Sequence, residues 1–361
     1  MSLLIVSFLL ATFAVVRSAT LHGTLSADHD LSGPQKFHTA PVPRIGGLGG
    51  FAAVLAGMVF ARLAGADGAS REPWLLLACS LPAFLSGIGE DLTKKVSPRR
   101  RLLFTLVSAA LGCWLLDGVL RRSDIPGVDL LITMTPFAVA LTLLCVTGVA
   151  NAVNIIDGFN GLASMCVLIM LMALAYVGLQ VQDRLVLTAA LISAGAVLGF
   201  FVWNFPGGLI FLGDGGAYLL GFMVAELGVL LIVRNADVSP LFPLLMCAYP
   251  IFETLFSMYR RKVLKGVASS QPDGIHMHTL IHRRLVRQMI GATATNRLTA
   301  RNSMTSPYLW LLCSLSVIPA VLWWRNTAVL TGFLALFMVS YVVLYWRIVR
   351  FRVPKWLLPR R

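Results

Sequence analysis

The chain has 361 residues, 57% of them hydrophobic and only 13% charged, with a mean hydropathy of +0.80. A water-soluble domain of this length cannot cover so much apolar surface, and the long continuous apolar runs point to helices crossing a bilayer rather than a barrel. The formal net charge of +14 would suit nucleic acid in a soluble protein, but in a membrane protein basic residues hold loops in the cytoplasm, so no nucleic acid is expected.

Eleven apolar segments approach the ~20 residues needed to cross. They cover approximately 1–16, 45–65, 73–89, 102–120, 129–150, 161–180, 184–204, 214–233, 240–258, 307–323 and 327–347. The first, MSLLIVSFLLATFAVV, lacks a basic start and a cleavage pattern and reads as a span. Cys79, Cys113, Cys145, Cys166, Cys247 and Cys313 lie inside apolar runs without CxxC spacing, so reduced core thiols are expected.

Cations fix the sides. Lys94, Lys95, Arg99, Arg100 and Arg101 fill one loop, Arg260 to Arg301 another, and Arg347 to Arg361 the tail. Alternating spans put all three in one compartment, and the positive-inside rule makes it the cytoplasm. The sequence therefore predicts an all-α polytopic membrane protein of about eleven transmembrane helices, N-terminus periplasmic and C-terminus cytoplasmic. It forms one domain, 1–361, with a basic cytoplasmic loop at about 259–306. The aspartates 117, 124, 129, 183 and 237 fall outside and read as solvated loop residues.

The chemistry-bearing stretches all fall on the cytoplasmic side. Asn151, Asn154, Asp157 and Asn160 recur every third residue in NAVNIIDGFNGL, which would line a drifting polar edge on a helix surface. Glu90 and Asp91 close a span, suiting magnesium, a general base, or an ordinary helix end balanced by Lys94 and Lys95. Asp214, in FLGDGG, suits either a helix cap or a phosphate or metal site, because its flanking glycines allow close backbone approach. Asn204 and Phe211 could hold a base by hydrogen bonding and stacking, or pack at the interface. His276, His278 and His282 beside Arg283, Arg284 and Arg287 suit an anionic diphosphate or a solvated basic loop, and nothing completes a zinc site. Lys36, His38 and Arg44 precede a glycine-rich helix start and suit anionic ligand contacts or a simple anchor. Glu226 and Glu253 lie within spans, where carboxylates are functional candidates that can also pair with polar neighbours.

As an ordered set, PVPRIGG, EDLTKKVSPR, NAVNIIDGFNGL, FLGDGGAYLLGF and HMH resemble the polyprenyl-phosphate N-acetylhexosamine-1-phosphate transferases, a glycosyltransferase family that includes WecA-like and MraY-like enzymes. The resemblance runs from Gln35 to about Arg284, and the eleven spans look like the WecA-like O-antigen branch. It implies transfer of an N-acetylhexosamine-1-phosphate from a UDP-sugar to undecaprenyl phosphate at the cytoplasmic face of a bacterial inner membrane, releasing UMP. It also implies Mg²⁺, or Mn²⁺, as cofactor, membrane lipid as surroundings, and a homodimer as one possible assembly. By this resemblance Asp214 is the metal ligand, and Asp91, Asp157 and Glu90 are catalytic. Asn154, Asn160, Asn204, Phe211, His276, His278, Arg283 and Lys36 would bind substrate. Glu90, Asn160 and Thr279 depart from the family pattern of Asp, Asp and His. A secondary transporter using Glu226, Glu253 and the acidic loops is the rival from another class, although transport would place charge near the midplane. A CDP-alcohol phosphotransferase would need a denser aspartate pattern.

Overall fold

The computed structural model describes residues 2–22, 42–65, 70–264, 275–286 and 296–350. Its helices are α1 Ser2–His22, α2 Gly46–Leu63, α3 Glu72–Thr93, α4 Pro98–Leu115, α5 Val128–Ile132, α6 Thr135–Ile156 and α7 Leu162–Gln180. They continue as α8 Arg184–Asn204, α9 Gly213–Arg234, α10 Leu241–Met246, α11 Ala248–Tyr259, α12 Met277–Ile281, α13 Asn296–Leu322 and α14 Thr327–Val349. Arg260–Leu264 and His282–Val286 are π-helical turns. Among the described residues, α2, α3, α6, α7, α8, α9, α13 and α14 are long and apolar enough to cross a membrane.

α9 is apolar on every side, and such a helix must be enclosed by others. It packs against α2, α3, α4, α6, α7 and α8. Buried residues make up 94% of its apolar window, against 17% for α14, whose exposed Leu336, Val339 and Val343 suit lipid. Small residues let the backbones close in, as is usual where helices pack without a solvent-driven core. A Cβ on Gly87 of α3 would lie 2.5 Å from the Gly215 Cα of α9. The first apolar run forms α1, which packs on α2 and α8. The six cysteines are unpaired thiols.

Several expected segments change shape. The 240–258 run divides at Cys247 into α10 and α11, and Pro250 has no N–H to continue the ladder across the joint. The 129–150 run divides before Pro136, and α6 then extends to Ile156. α13 begins at Asn296 rather than 307, inside the stretch expected to be a basic loop. Residues 276–282 of that stretch are buried in the molecule rather than solvated. Asp183, read from sequence as solvated, is buried: it caps α8 by accepting from the Val186 N–H at 3.2 Å and holds Arg234 Nε at 2.9 Å. Glu226 is 0% exposed, and neither carboxylate oxygen meets a hydrogen-bond partner among the described residues.

Gly215→Val should push α3 from α9. We expect an overpacking cost of about 1–3 kcal/mol, read as a lower melting temperature of the detergent-solubilised protein. An unchanged melting curve would mean that the contact yields without cost.

Candidate active site

The ends of α3, α6 and α8 meet the starts of α2, α7 and α9 at one end of the bundle. Asp91, in the last turn of α3, is 2% exposed. Its Oδ1 accepts from the Asp214 N–H at 3.0 Å and its Oδ2 from the Gly215 N–H at 2.9 Å. The carboxylate thereby caps α9, satisfying N–H groups that a helix start leaves without internal partners. Gly213 has φ +73°, and a Cβ there would lie 2.5 Å from Asp91 Oδ2, so glycine is needed at this approach. The loop before α9 is fixed by the start of α2: Gly46 N–H donates to Phe211 O at 3.0 Å, and Gly47 N–H to Leu212 O at 2.9 Å.

Asp214 projects from this capped start. Its Oδ1 accepts from Asn154 Nδ2 at 3.0 Å, and Arg101 of α4 forms an ion pair with its Oδ2. Glu90 diverges from Asp91, because consecutive residues on a helix face different directions. Its Oε2 accepts from the Val96 N–H at 2.8 Å and holds the α3–α4 loop.

The 151–160 polar set is half helix and half turn. Asn151 and Asn154 face α9, where Asn151 Oδ1 accepts from the Tyr218 hydroxyl at 3.3 Å. α6 ends at Ile156, and Asp157, with ψ 60°, leaves the helix. The expected continuous helical edge therefore stops there. Asp157 lines a cavity of about 90 Å³ with Arg44, Asn154, Asn160, Asn204, Phe211 and Asp214. Burial pushes the Asp157 carboxyl up to about 7; Arg44 opposes the shift and Asp91 adds to it. The cavity is smaller than the roughly 300–1,000 Å³ usual for ligand sites, so a large ligand needs it to open.

Two amides in the cavity wall donate to groups of the protein itself. Asn204 Oδ1 accepts from the Gly161 N–H at 2.6 Å, and its Nδ2 donates to Ile210 O at 2.8 Å. Asn160 Nδ2 donates to Pro206 O at 3.2 Å and to Ser303 Oγ at 3.3 Å. α13 clamps the same turn: Asn302 Oδ1 accepts from the Asn160 N–H at 2.7 Å, Ser306 Oγ donates to Asn160 O at 2.6 Å, and Trp310 Nε1 donates to Gly161 O at 2.9 Å. Asn302, Ser306 and Trp310 were not expected at the site, although their four-residue spacing marks one helix face. From sequence, Arg101 reads only as a loop charge.

The histidines approach from the far side. His276 and His278 stack with ring centroids 5.0 Å apart and planes 9° apart. His278 meets the Phe159 ring edge-on at 5.5 Å, beside the Asp157 turn, and His282 Nδ1 lies 3.1 Å from Thr305 Oγ1. Arg283 is exposed and does not line the cavity, while Arg284 donates to Ile348 O at the end of α14. Lys36 lies outside the described residues. Asp91, Asp157, Asp214, Asn154, Asn160, Asn204 and Phe211 are thus gathered at one locus, with His278 beside it, Glu90 bonded to the α3–α4 loop and Arg283 outside the cavity lining.

No group of three or more His, Cys, Asp or Glu among the described residues is arranged to hold a metal by itself. The oxygen donors of Asp214 and Asp157 still fit a hard divalent ion, which typically takes one or two carboxylates and completes its shell with water and phosphate oxygens.

A profile of glycosyl transferase family 4 matches residues 73–232. A decaprenyl-phosphate N-acetylglucosaminephosphotransferase of Mycobacterium leprae (strain TN) is 30% identical over 287 residues, covering 69% of this chain and 70% of that relative. The chain belongs to glycosyl transferase family 4. A relative from Bacillus subtilis (strain 168), named "Probable undecaprenyl-phosphate N-acetylglucosaminyl 1-phosphate transferase", is 30% identical over 247 residues. That match covers 68% of this chain, which spans 66% of the relative's length. A phospho-N-acetylmuramoyl-pentapeptide-transferase of Streptococcus thermophilus (strain CNRZ 1066) is 38% identical over a shorter stretch of 105 residues, 29% of this chain. The expected family resemblance is borne out. The profile includes Asp91, Asp157 and Asp214 but stops before the histidines.

In this glycosyl transferase family 4 chain the amide at 160 is a donor, which an aspartate cannot be at neutral pH. Asn160→Asp should remove both side-chain donations and destabilise the protein by about 1–3 kcal/mol, read by thermal melting in detergent. Unchanged melting would reassign the clamp. Asp157→Asn should act in the opposite direction. A half-buried carboxyl with a raised folded-state pKa penalises the folded state once it ionises, so the penalty is absent below about pH 4 and complete above about pH 7. The variant should melt higher than the parent at pH 8 in EDTA, and equally at pH 4. A gain independent of pH would exclude the titration.

Proposed function

We propose that this chain transfers an N-acetylhexosamine-1-phosphate from a UDP-sugar to undecaprenyl phosphate, releasing UMP and forming the lipid-linked diphospho-sugar that starts a cell-surface polysaccharide. The observation that carries this reading is the meeting of Asp157, Asp214, Asn154 and Arg44 in one cavity at the bundle end, against a helix start capped by Asp91. Relatives whose names describe undecaprenyl- and decaprenyl-phosphate N-acetylglucosamine-1-phosphate transfer support it. The proposed topology has eleven spans, an outer N-terminus and this end of the bundle facing the cytoplasm of a bacterial inner membrane. A homodimer is compatible with it.

The reaction brings two anions together. An oxygen of the lipid phosphate attacks the sugar-bearing phosphorus of the UDP-sugar, the diphosphate P–O bond breaks, and UMP leaves with the electron pair. Asp157, with a carboxyl raised to about 7, is suited to take a proton from the lipid phosphate. Asp91 is less suited, because both its oxygens hold the start of α9. Mg²⁺, bound to Asp214 and to substrate oxygens, would neutralise the diphosphate and stabilise the leaving phosphate. Arg101 would move from Asp214 toward the phosphate charge. His276 and His278 would hold the diphosphate, Phe211 would stack on the base, and Lys36 would supply a further cationic contact.

The test is a panel of UDP-sugars with undecaprenyl phosphate in proteoliposomes, read by UMP release and by the mass of the lipid product. We expect one UDP-N-acetylhexosamine to support turnover, and Asp214→Ala to lower it by at least about a hundredfold. Wild-type-like turnover in that variant would defeat the metal assignment. Counterflow of solute without any chemical product would favour a transporter.

A further inference from the structure

Glu253 belongs to α11 and does not line the cavity. It is 1% exposed, yet both carboxylate oxygens accept hydrogen bonds. Oε1 accepts from His276 Nδ1 at 3.0 Å and from the Met277 N–H at 2.9 Å. Oε2 accepts from the Tyr341 hydroxyl of α14 at 2.6 Å. Two segments distant from each other in sequence, the start of α12 and α14, therefore converge on one acid of α11. The Met277 bond also satisfies the first N–H of α12, which no side chain of its own caps.

The Glu253 carboxylate only accepts, so the Nδ1 facing it must carry a hydrogen. The other ring nitrogen, Nε2, lies on the side of the ring away from Glu253. The ring's plane is fixed as well, by the carboxylate at one edge and by the parallel His278 ring 5.0 Å away. His278 in turn abuts Phe159 at 5.5 Å, next to Asp157. The contacts form a continuous line from Tyr341 through Glu253, His276 and His278 to the turn carrying Asp157. Carboxylates commonly fix a functional histidine in this way, setting tautomer and orientation from behind.

We infer that Glu253, anchored by Tyr341, is a positioning residue that holds His276 as the Nδ1–H tautomer and sets the stacked His276–His278 pair against the Asp157 turn. This rests on the reading of the two histidines as diphosphate contacts. Glu253 is accordingly part of the transfer apparatus rather than a step in an ion path.

The experiment uses the full chain in lipid nanodiscs. Glu253→Gln keeps the size of the side chain but removes one of its two acceptor oxygens. It should raise KM for the UDP-sugar about tenfold or more, with a smaller change in kcat and in KM for undecaprenyl phosphate. Glu253→Asp should recover part of that loss, and His276→Ala should add little on the Glu253→Gln background. A wild-type KM in Glu253→Gln, or independent multiplication of the two effects, would overturn the inference. Nitrogen-15 spectra of the wild-type histidines decide it even if Glu253→Gln does not fold. The His276 signals, assigned by their loss in His276→Ala, should show a protonated Nδ1, and a protonated Nε2 with a bare Nδ1 would refute it. A wild type that turns over no UDP-sugar, or a His276→Ala variant with unchanged KM, would instead sink the functional reading and leave the tautomer result to stand alone.

Discussion

The capping of α9 by Asp91 is the contact on which the rest of the site depends. An N-terminal helix end presents unsatisfied N–H groups and partial positive charge, and inside a bundle they cannot be left bare. Asp91 meets two of them from α3. That fixes the junction of α3 and α9 and aims the Asp214 side chain toward Asn154 and Arg101. Gly213 and Gly215 are small because this junction is tight.

A second clamp holds the opposite wall. The turn after α6 carries Asp157, and its backbone is gripped by Asn302, Ser306 and Trp310 of α13 and by Asn204 of α8. Asn160, where the family pattern has an acid, donates within this clamp. The two buried glutamates have different fates: Glu253 is fully bonded to His276, Met277 and Tyr341, whereas Glu226 is sealed among glycines 112 and 118 of the α4 end.

These arrangements assign unequal roles to residues that look alike in sequence. Glu90 and Asp91 are adjacent acids, yet one braces a loop and the other seats a helix. Asn154 and Asn160 share a motif, yet one reaches the Asp214 carboxylate and the other ties down backbone. Of the three aspartates at the site, Asp91 holds two backbone N–H groups, Asp214 meets Asn154 and Arg101, and Asp157 lines the cavity with a carboxyl displaced to about 7.

Composition alone established a helical membrane protein, because backbone groups in lipid must be satisfied within each segment and long apolar runs admit no other structure. The ordered motifs were legible too, since a few polar side chains stand out sharply against an apolar background. The breaks at Cys247 and before Pro136 were only partly legible, because hydropathy registers apolar character and not the loss of a single N–H. The helical grip of residues 302–310 on the Asp157 turn, the pairing of Arg101 with Asp214 and the seating of His276 on Glu253 were decided by tertiary structure. Each joins residues tens or hundreds of positions apart, and no local periodicity encodes which distant donor will face a given acceptor once the helices have packed.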